Sequence, residues 1–304
     1  MGGSRRIRAA AVCAMALSLC TAPVALGAPD IQPADLVATD VDKPLGLGTT
    51  GRAAKCRPGT EIASGGAYAH QAGVERPEAL DVVSIHSSFP DSEGNRRLAN
   101  AESGGANTEL RVRALCLPRN QLNGATTVTQ TTPIATLATG GLTLACPGGD
   151  AVVTGGAYTH LVGMPFDRSL DFAVVSSSTP TSDGLGWYAA AWNNSGVTNI
   201  EMTVVIVCLP AERVGEPRIK TKDVAVSGQG LEPSAIVRCG GKRRALAGGA
   251  YWHGGGGTPD PGLSDNARAS GSVSLQKGRR WYADGYTISN VSASMRVVAV
   301  CLPA

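Results

Sequence analysis

A six-residue phrase, Gly-Gly-Ala-Tyr-x-His, occurs three times in this 304-residue sequence. The copies span residues 65–70, 155–160 and 248–253, and each begins nine positions after a cysteine. Each unit then closes far downstream on Cys-Leu-Pro. A repeat with such a fixed frame indicates three copies of one structural unit. Including the segment before its first cysteine, each unit has about 90 residues, which suits a small domain.

The N-terminal segment is typical of a secretory signal peptide. Three arginines precede an apolar run over residues 9–26, and small residues at Gly27 and Ala28 follow it. We therefore predict that residues 1–28 are a signal peptide and that the mature protein is secreted to the extracellular space. The alternative, an anchoring helix, would need about 20 uninterrupted apolar residues. Ser18, Thr21 and Pro23 interrupt this run, so no membrane span is expected after cleavage.

Charge argues against a nucleic-acid partner. The full sequence has 27 basic and 24 acidic residues. All three charges of the signal are arginines, so 24 of each sign are left in the mature chain. A neutral chain without basic runs has no electrostatic footprint for a phosphate backbone, which supplies most nucleic-acid affinity.

Six cysteines are left after the signal, and six cysteines allow 15 pairings in principle. If each unit folds alone, its two cysteines must find each other, and disulfides persist outside the cytosol. A structural zinc site would instead favour closely spaced pairs such as Cys-x-x-Cys, which the sequence lacks. We therefore predict three disulfides within the units: Cys56–Cys116, Cys146–Cys208 and Cys239–Cys301.

Short runs rich in Val, Ile and Thr, separated by glycine turns, predict about six strands per unit. Before Cys116, apolar Leu110 and Val112 alternate with Arg111 and Arg113, as on a half-buried strand. We predict an all-β fold of three tandem small antiparallel β-sandwich or barrel-like repeats. Their predicted bounds are residues 34–118, 125–210 and 217–304. The alternative is a single closed, three-bladed particle in which the repeats stack their cores.

The glycine pair of each phrase predicts a β-bulge or a close approach of two backbones. A neighbouring disulfide would supply the crowding.

The repeat also resembles the Cys-bounded Gly-Gly repeats of uncharacterised secreted β-proteins of actinobacterial type. The resemblance rests on the cysteine frame, on the aromatic strands at residues 186–188 and 281–282, and on an apolar pair before each last cysteine. It covers nearly all of the mature chain and implies an architecture without an assigned activity. Unit one departs from the pattern, since Arg97 and Leu98 stand where units two and three have aromatic residues.

The best candidate site is a Tyr, His and Asp triplet in each unit. The Tyr and His are two positions apart, so on a strand both face the same side, and an Asp follows 11 or 12 residues after each His. A carboxylate that orients the imidazole, a pocket for a sugar or another small ligand, and a metal site are the three interpretations. A metal would need ligands from more than one unit. The candidate residues are Tyr68, His70 and Asp81; Tyr158, His160 and Asp171; and Tyr251, His253 and Asp265.

Catalysis has little support in the sequence. It contains no nucleophile elbow, metalloprotease helix motif or phosphate-binding glycine loop, and we predict no cofactor. The leading hypothesis is a secreted, non-catalytic repeat protein for binding or surface interaction, with a cell-wall or extracellular glycan or a protein as its partner. Three similar sites would add avidity. The alternatives are a secreted hydrolase of unknown type and a secreted protease inhibitor that acts through the loop at residues 254–261.

Overall fold

The computed structural model describes residues 31–45, 48–77, 80, 83–105, 107–164 and 172–303. The predicted signal peptide, residues 1–28, lies outside this range. The all-β prediction is confirmed, with 65% strand and 6% helix in three antiparallel six-stranded sheets. Within the described residues, no helix has the length and apolarity that a membrane crossing requires.

Each unit contributes six strands in the same order. Unit one has β1 (Val37–Leu45), β2 (Gly48–Lys55), β3 (Thr60–Gln71), β4 (Val83–Pro90), β5 (Arg96–Ser103) and β6 (Thr108–Pro118). Unit two has β7 (Thr126–Ile134), β8 (Ala138–Ala145), β9 (Ala151–Leu161), β10 (Ala173–Pro180), β11 (Gly186–Asn193) and β12 (Ile200–Leu209). Unit three has β13 (Arg218–Gly228), β14 (Ser234–Arg238), β15 (Arg243–His253), β16 (Ala267–Leu275), β17 (Arg280–Thr287) and β18 (Val291–Pro303).

Short helical turns occur between some of these strands. They comprise the α-helix α1 (Ala211–Val214) and 3-10 turns at Pro33–Asp35, Arg119–Gln121, Pro147–Gly149 and Pro261–Leu263.

Each unit is a two-layer sandwich, as predicted. In unit one, β1, β6 and β3 form one layer and β2, β5 and β4 the other. Buried side chains from both layers, including Leu110 and Ile85, pack into one core. The predicted disulfides are present in all three units. Each joins the end of the unit's second strand to its last strand, and so ties the two layers together.

The sheets cross the boundaries between the units. The strand orders are β1-β6-β3-β16-β17-β14, β2-β5-β4-β9-β12-β7 and β13-β18-β15-β10-β11-β8. We name them the 1–3, 1–2 and 2–3 sheets after the units that supply them. Strands β3, β9 and β15 contact one another, as do β4, β10 and β16, so the three sheets meet around a common axis. The sandwich repeats are therefore present, but they are joined as in the closed-particle alternative.

The glycine pair lies at the seams, defined as the pairs β3/β16, β4/β9 and β10/β15 where two units share a sheet. A Cβ on Gly66, Gly156 or Gly249 would lie 1.9 Å from a serine carbonyl oxygen of the neighbouring unit. A register shift precedes the pair, between Ile62 and Ser64 in unit one. Both the bulge and the close backbone approach are thus confirmed. The crowding at the second glycine, however, comes from the next unit's strand, because the nearest atoms belong to that backbone and not to a disulfide.

Candidate functional site

The Tyr and His of each phrase lie side by side on one face of β3, β9 and β15. Their ring centroids are 5.7, 5.4 and 6.0 Å apart in units one, two and three. All three histidines are buried, and so are Tyr68 and Tyr251, whereas Tyr158 is half-buried. The phrase therefore places a covered histidine beside a tyrosine in every unit.

The carboxylates beside these histidines come from other strands than the spacing suggested. Asp81 and Asp171 lie outside the described residues. Asp265 is exposed and accepts a hydrogen bond from the Asn266 side chain. The carboxylate near His253 is instead that of Asp223 on β13, with 3.6 Å between Nε2 and Oδ1. A regular distance along the chain did not place Asp265 at the site, because it lies in the connection between two strands.

In unit one, the acidic neighbours of His70 are Asp42 on β1 and Glu109 on β6. In unit two, Glu201 on β12 lies 3.7 Å from Nδ1 of His160. Sequence reasoning missed these carboxylates. One signal for them was available in the sequence. Asp42 and Arg111 carry opposite charges on alternating positions of two strands of the same unit, so they could have been predicted to pair across β1 and β6.

A guanidinium group links the tyrosine to the acid in units one and three. Arg111 contacts both carboxylate oxygens of Asp42, with 2.6 Å between Nη2 and Oδ2, and donates to the Tyr68 hydroxyl. The hydrogen bond from Arg111 lowers the pKa of Asp42. Unit three repeats this network with Asp223, Arg296 and Tyr251, and Arg296 likewise lowers the pKa of Asp223.

In unit two, the hydroxyls of Thr131 and Thr203 replace the ion pair and hydrogen-bond to each other at 2.8 Å. The same strand positions therefore carry an ion pair in two units and a neutral pair in the third.

A ligand-sized cavity lies at the 2–3 seam, on the face that carries Tyr251. Its volume is about 480 Å³, within the range typical of small-molecule sites. We term it the seam pocket. Two tyrosines, two prolines and a group of small hydroxyl residues form most of its walls. They are Tyr188, Tyr251, Pro180, Pro259, Thr143, Thr181, Ser182, Thr221 and Thr258.

Different side chains cover the other two seams. Arg113, Val205 and Val298 all lie opposite the second glycine of their phrase. At the 1–3 seam, Arg113 reaches across to the carbonyl of Ser274. At the 1–2 seam, Phe89 stacks on Tyr158 with 4.3 Å between ring centroids. At the 2–3 seam the corresponding position holds the short side chain of Val298, which lines the pocket.

Tyr188 lines this pocket and carries an unsatisfied polar atom. Its side chain is 9% exposed, and its hydroxyl has no hydrogen-bond partner among the described residues. Burial, with a smaller effect of the Asp260 charge, raises the pKa of this hydroxyl, so it stays protonated and can donate. A buried donor without an acceptor costs about 1–3 kcal/mol. Because the oxygen has less than 1 Å² of accessible surface, a ligand oxygen would pair with it only after a shift of the neighbouring side chains.

The one guanidinium in the pocket is already engaged. Arg296 donates to both oxygens of Asp223, to the Tyr251 hydroxyl and to the carbonyl of Gly257. The Gly257 carbonyl also accepts from Tyr251 at 2.7 Å, so the loop at residues 254–260 is held against the pocket. The walls therefore offer neutral hydroxyls and aromatic rings.

A second cavity lies on the common axis and is too small for such a ligand. Its volume is about 50 Å³, room for one or two water molecules. Arg97 lies here fully buried, and desolvation lowers its pKa to about 9. It donates to Ser88 in the place where Trp187 and Trp281 donate to Ser178 and Ser272. The departure of unit one from the aromatic pattern thus keeps a hydrogen bond to an axial serine.

For Asp284, which lies beside this axis, we predict a measurable effect of pH on the free energy of unfolding. Burial raises its pKa from 3.8 to about 6, although Tyr282 and Ser270 donate to it. The folded state binds the proton more tightly than the unfolded state, so the free energy of unfolding falls as the pH rises from about 4 to 6. We expect Asp284→Asn to remove that fall, which amounts to about 3 kcal/mol by pH 7. Urea denaturation at pH 4 and pH 7 measures it, and parallel wild-type and variant pH profiles would contradict the assignment.

Comparisons with protein-family models and with curated protein sequences find no match for this chain.

Proposed function

We propose that this is a secreted, non-catalytic protein that binds an extracellular glycan in the seam pocket. The observation that carries the proposal is a cavity of ligand size lined by aromatic and hydroxyl side chains, with the unpaired Tyr188 hydroxyl buried behind its wall. Three disulfides indicate an oxidising environment. The signal-like N-terminus supports secretion, and the lack of a catalytic motif supports binding without turnover.

The chemistry of the walls suits a neutral sugar ring. A pyranose presents an apolar C–H face and a rim of hydroxyls, which match a tyrosine ring and the hydroxyls of Thr143, Thr181 and Thr258. Because Arg296 is paired with Asp223, the described residues that line the pocket provide no free cation for an acidic ligand. Arg113 and Phe89 cover the corresponding places at the other two seams, so the ligand would bind at one site per chain without the avidity of three equivalent sites.

The turn at Ser182 offers a test with a matched control. Ser182 is an exposed pocket residue between β10 and β11, and Ser92 occupies the same position between β4 and β5. We expect Ser182→Trp to block the seam pocket and reduce retention on the bound polysaccharide at least tenfold, whereas Ser92→Trp should bind normally. Glycan arrays and polysaccharide pull-downs with the mature chain measure this.

A second variant probes the hydroxyl itself. Tyr188→Phe deletes one unpaired oxygen, so it should weaken glycan binding several-fold without lowering the melting temperature. No retention of the wild type on any glycan, or equal loss in the Ser182→Trp and Ser92→Trp variants, would contradict the proposal.

A further inference from the structure

The imidazoles of the three repeated histidines form different hydrogen bonds. In unit two, Nδ1 of His160 donates to the carbonyl of Leu161, and Nε2 lies 3.0 Å from the Thr203 hydroxyl, which can donate to it. In unit three, Nδ1 of His253 accepts from the backbone N–H of Gly255, so Nε2 carries the proton and points towards Asp223. The arrangement in unit two satisfies both ring nitrogens of a neutral imidazole. In unit three Nε2 carries its proton towards Asp223 Oδ1 at 3.6 Å, beyond hydrogen-bond distance, so among the described residues this proton has no acceptor.

His70 in unit one is different. Its Nδ1 lies 2.9 Å from the carbonyl oxygen of Gln71. A carbonyl only accepts, so Nδ1 carries the proton and Nε2 of the neutral ring presents a lone pair. This lone pair faces Asp42 Oδ1 at 3.6 Å and Glu109 Oε2 at 3.8 Å. Both distances exceed that of a hydrogen bond, and Nε2 has no hydrogen-bond partner among the described residues.

Three electron-pair donors thus converge, beside the Arg111 guanidinium that hydrogen-bonds to Asp42. His70 is 1% exposed, and its donating Nδ1 fixes the ring in the orientation that metal-binding histidines commonly show, with a carbonyl on the distal nitrogen. The side chains of Asp42 and Glu109 are 36% and 23% exposed, so the carboxylate side of the cluster faces solvent while the nitrogen is buried.

We propose that His70, Asp42 and Glu109 bind a divalent transition-metal ion, with Zn²⁺ as the best match. One imidazole nitrogen and two carboxylate oxygens are ordinary zinc ligands, and water can complete a tetrahedral site. The three ligand atoms lie within 4.8 Å of one another, so the side chains need only small movements to reach zinc–ligand distances of about 2.0–2.2 Å. Arg111 hydrogen-bonds to both oxygens of Asp42 and so holds this ligand in its orientation.

The other units lack part of this set. Thr131 pairs with Thr203 in unit two, where unit one has Asp42 opposite Arg111. Ser294 lies opposite His253 in unit three, where unit one has Glu109 opposite His70. Glu201 lies opposite His160 and is thus the positional counterpart of Glu109. Its unit has Thr131 in place of the other acid, Asp42.

The competing occupant is a proton, which would turn His70 into an imidazolium paired with the two acids. Calorimetric titration of Zn²⁺ into the untagged, chelator-treated mature chain at pH 7.5 distinguishes a zinc ion from a proton as the occupant. We expect one Zn²⁺ per chain and a tetrahedral Co²⁺ visible spectrum on cobalt substitution. Glu109→Gln should weaken zinc binding at least about tenfold, and the matched control Glu201→Gln should leave it unchanged.

Glu109→Gln changes a partly exposed side chain and keeps its size, so its folding can be verified by an unchanged melting curve without metal. His70→Gln should abolish the cobalt spectrum. Absence of a zinc titration signal in the wild type would identify the proton as the occupant and overturn the proposal. Equal zinc affinity of Glu109→Gln and wild type, or equal losses in Glu109→Gln and Glu201→Gln, would also overturn it.

Discussion

Gly156→Ala is expected to destabilise the protein by at least about 4 kcal/mol, a size typical of severe steric or packing defects. The added Cβ would lie 1.9 Å from the carbonyl oxygen of Ser88 and 2.6 Å from the Cα of Phe89. Both are backbone atoms and cannot rotate away. Relief requires β4 and β9 to move apart, which breaks the 1–2 sheet at the seam where units one and two join.

Denaturant unfolding of the mature chain measures this effect. Gly196→Ala is the control, because Gly196 is exposed, does not have a left-handed φ, and would place its added Cβ more than 4 Å from any neighbouring atom among the described residues. It should stay within about 0.5 kcal/mol of wild type. Gly66→Ala and Gly249→Ala should behave like Gly156→Ala, since the same 1.9 Å contact recurs at the other seams. A wild-type melting curve for Gly156→Ala would show that the units do not share sheets as described.

Removal of the Cys146–Cys208 disulfide by a double substitution to alanine is expected to cost about 4 kcal/mol. The bond spans 62 residues, and the loss of its constraint on the unfolded chain gives that figure in the chain-entropy model. It also joins the end of β8, in the 2–3 sheet, to β12, in the 1–2 sheet. The loss should therefore loosen the two layers of unit two.

Chemical denaturation without reductant compares the double variant with wild type, and reduced wild type is the control for the loss of all three bonds. Peptide mapping of the oxidised protein should recover only pairs within units. A cross-unit pair such as Cys116 with Cys146, or a variant within about 1 kcal/mol of wild type, would contradict this account.

Much of the architecture follows from local sequence signals. The alternation of Leu110 and Val112 with Arg111 and Arg113 determines a strand and its buried face, because successive side chains of a strand point to opposite sides. The repeated frame determined the pairing of Cys146 with Cys208, since equal units require equal bonds. The glycine pair also marked a position where the backbone must come unusually close to another strand.

The tertiary structure decided which strands meet, because partners in a sheet are chosen over long distances in the chain. Nothing near Gly156 indicates that its neighbour is Ser88 of another unit. The same holds for the site. Asp265 keeps a regular distance from His253 along the chain, yet the carboxylate beside that histidine belongs to Asp223, about 30 residues earlier, on a strand of the same sheet.

Small differences between the repeats then separated sites that the sequence presents as equivalent. The 2–3 seam stays open because it has Val298 where Arg113 spans the 1–3 seam. It also has Thr179 where Phe89 packs on Tyr158 at the 1–2 seam. Glu109 adds a second acid to His70 that Ser294 does not provide for His253. The repeat by itself determined the shared scaffold. Where a pocket and a cation site can form was decided by side-chain length, by charge and by the direction of single hydrogen bonds. These act only between strands that folding has brought together.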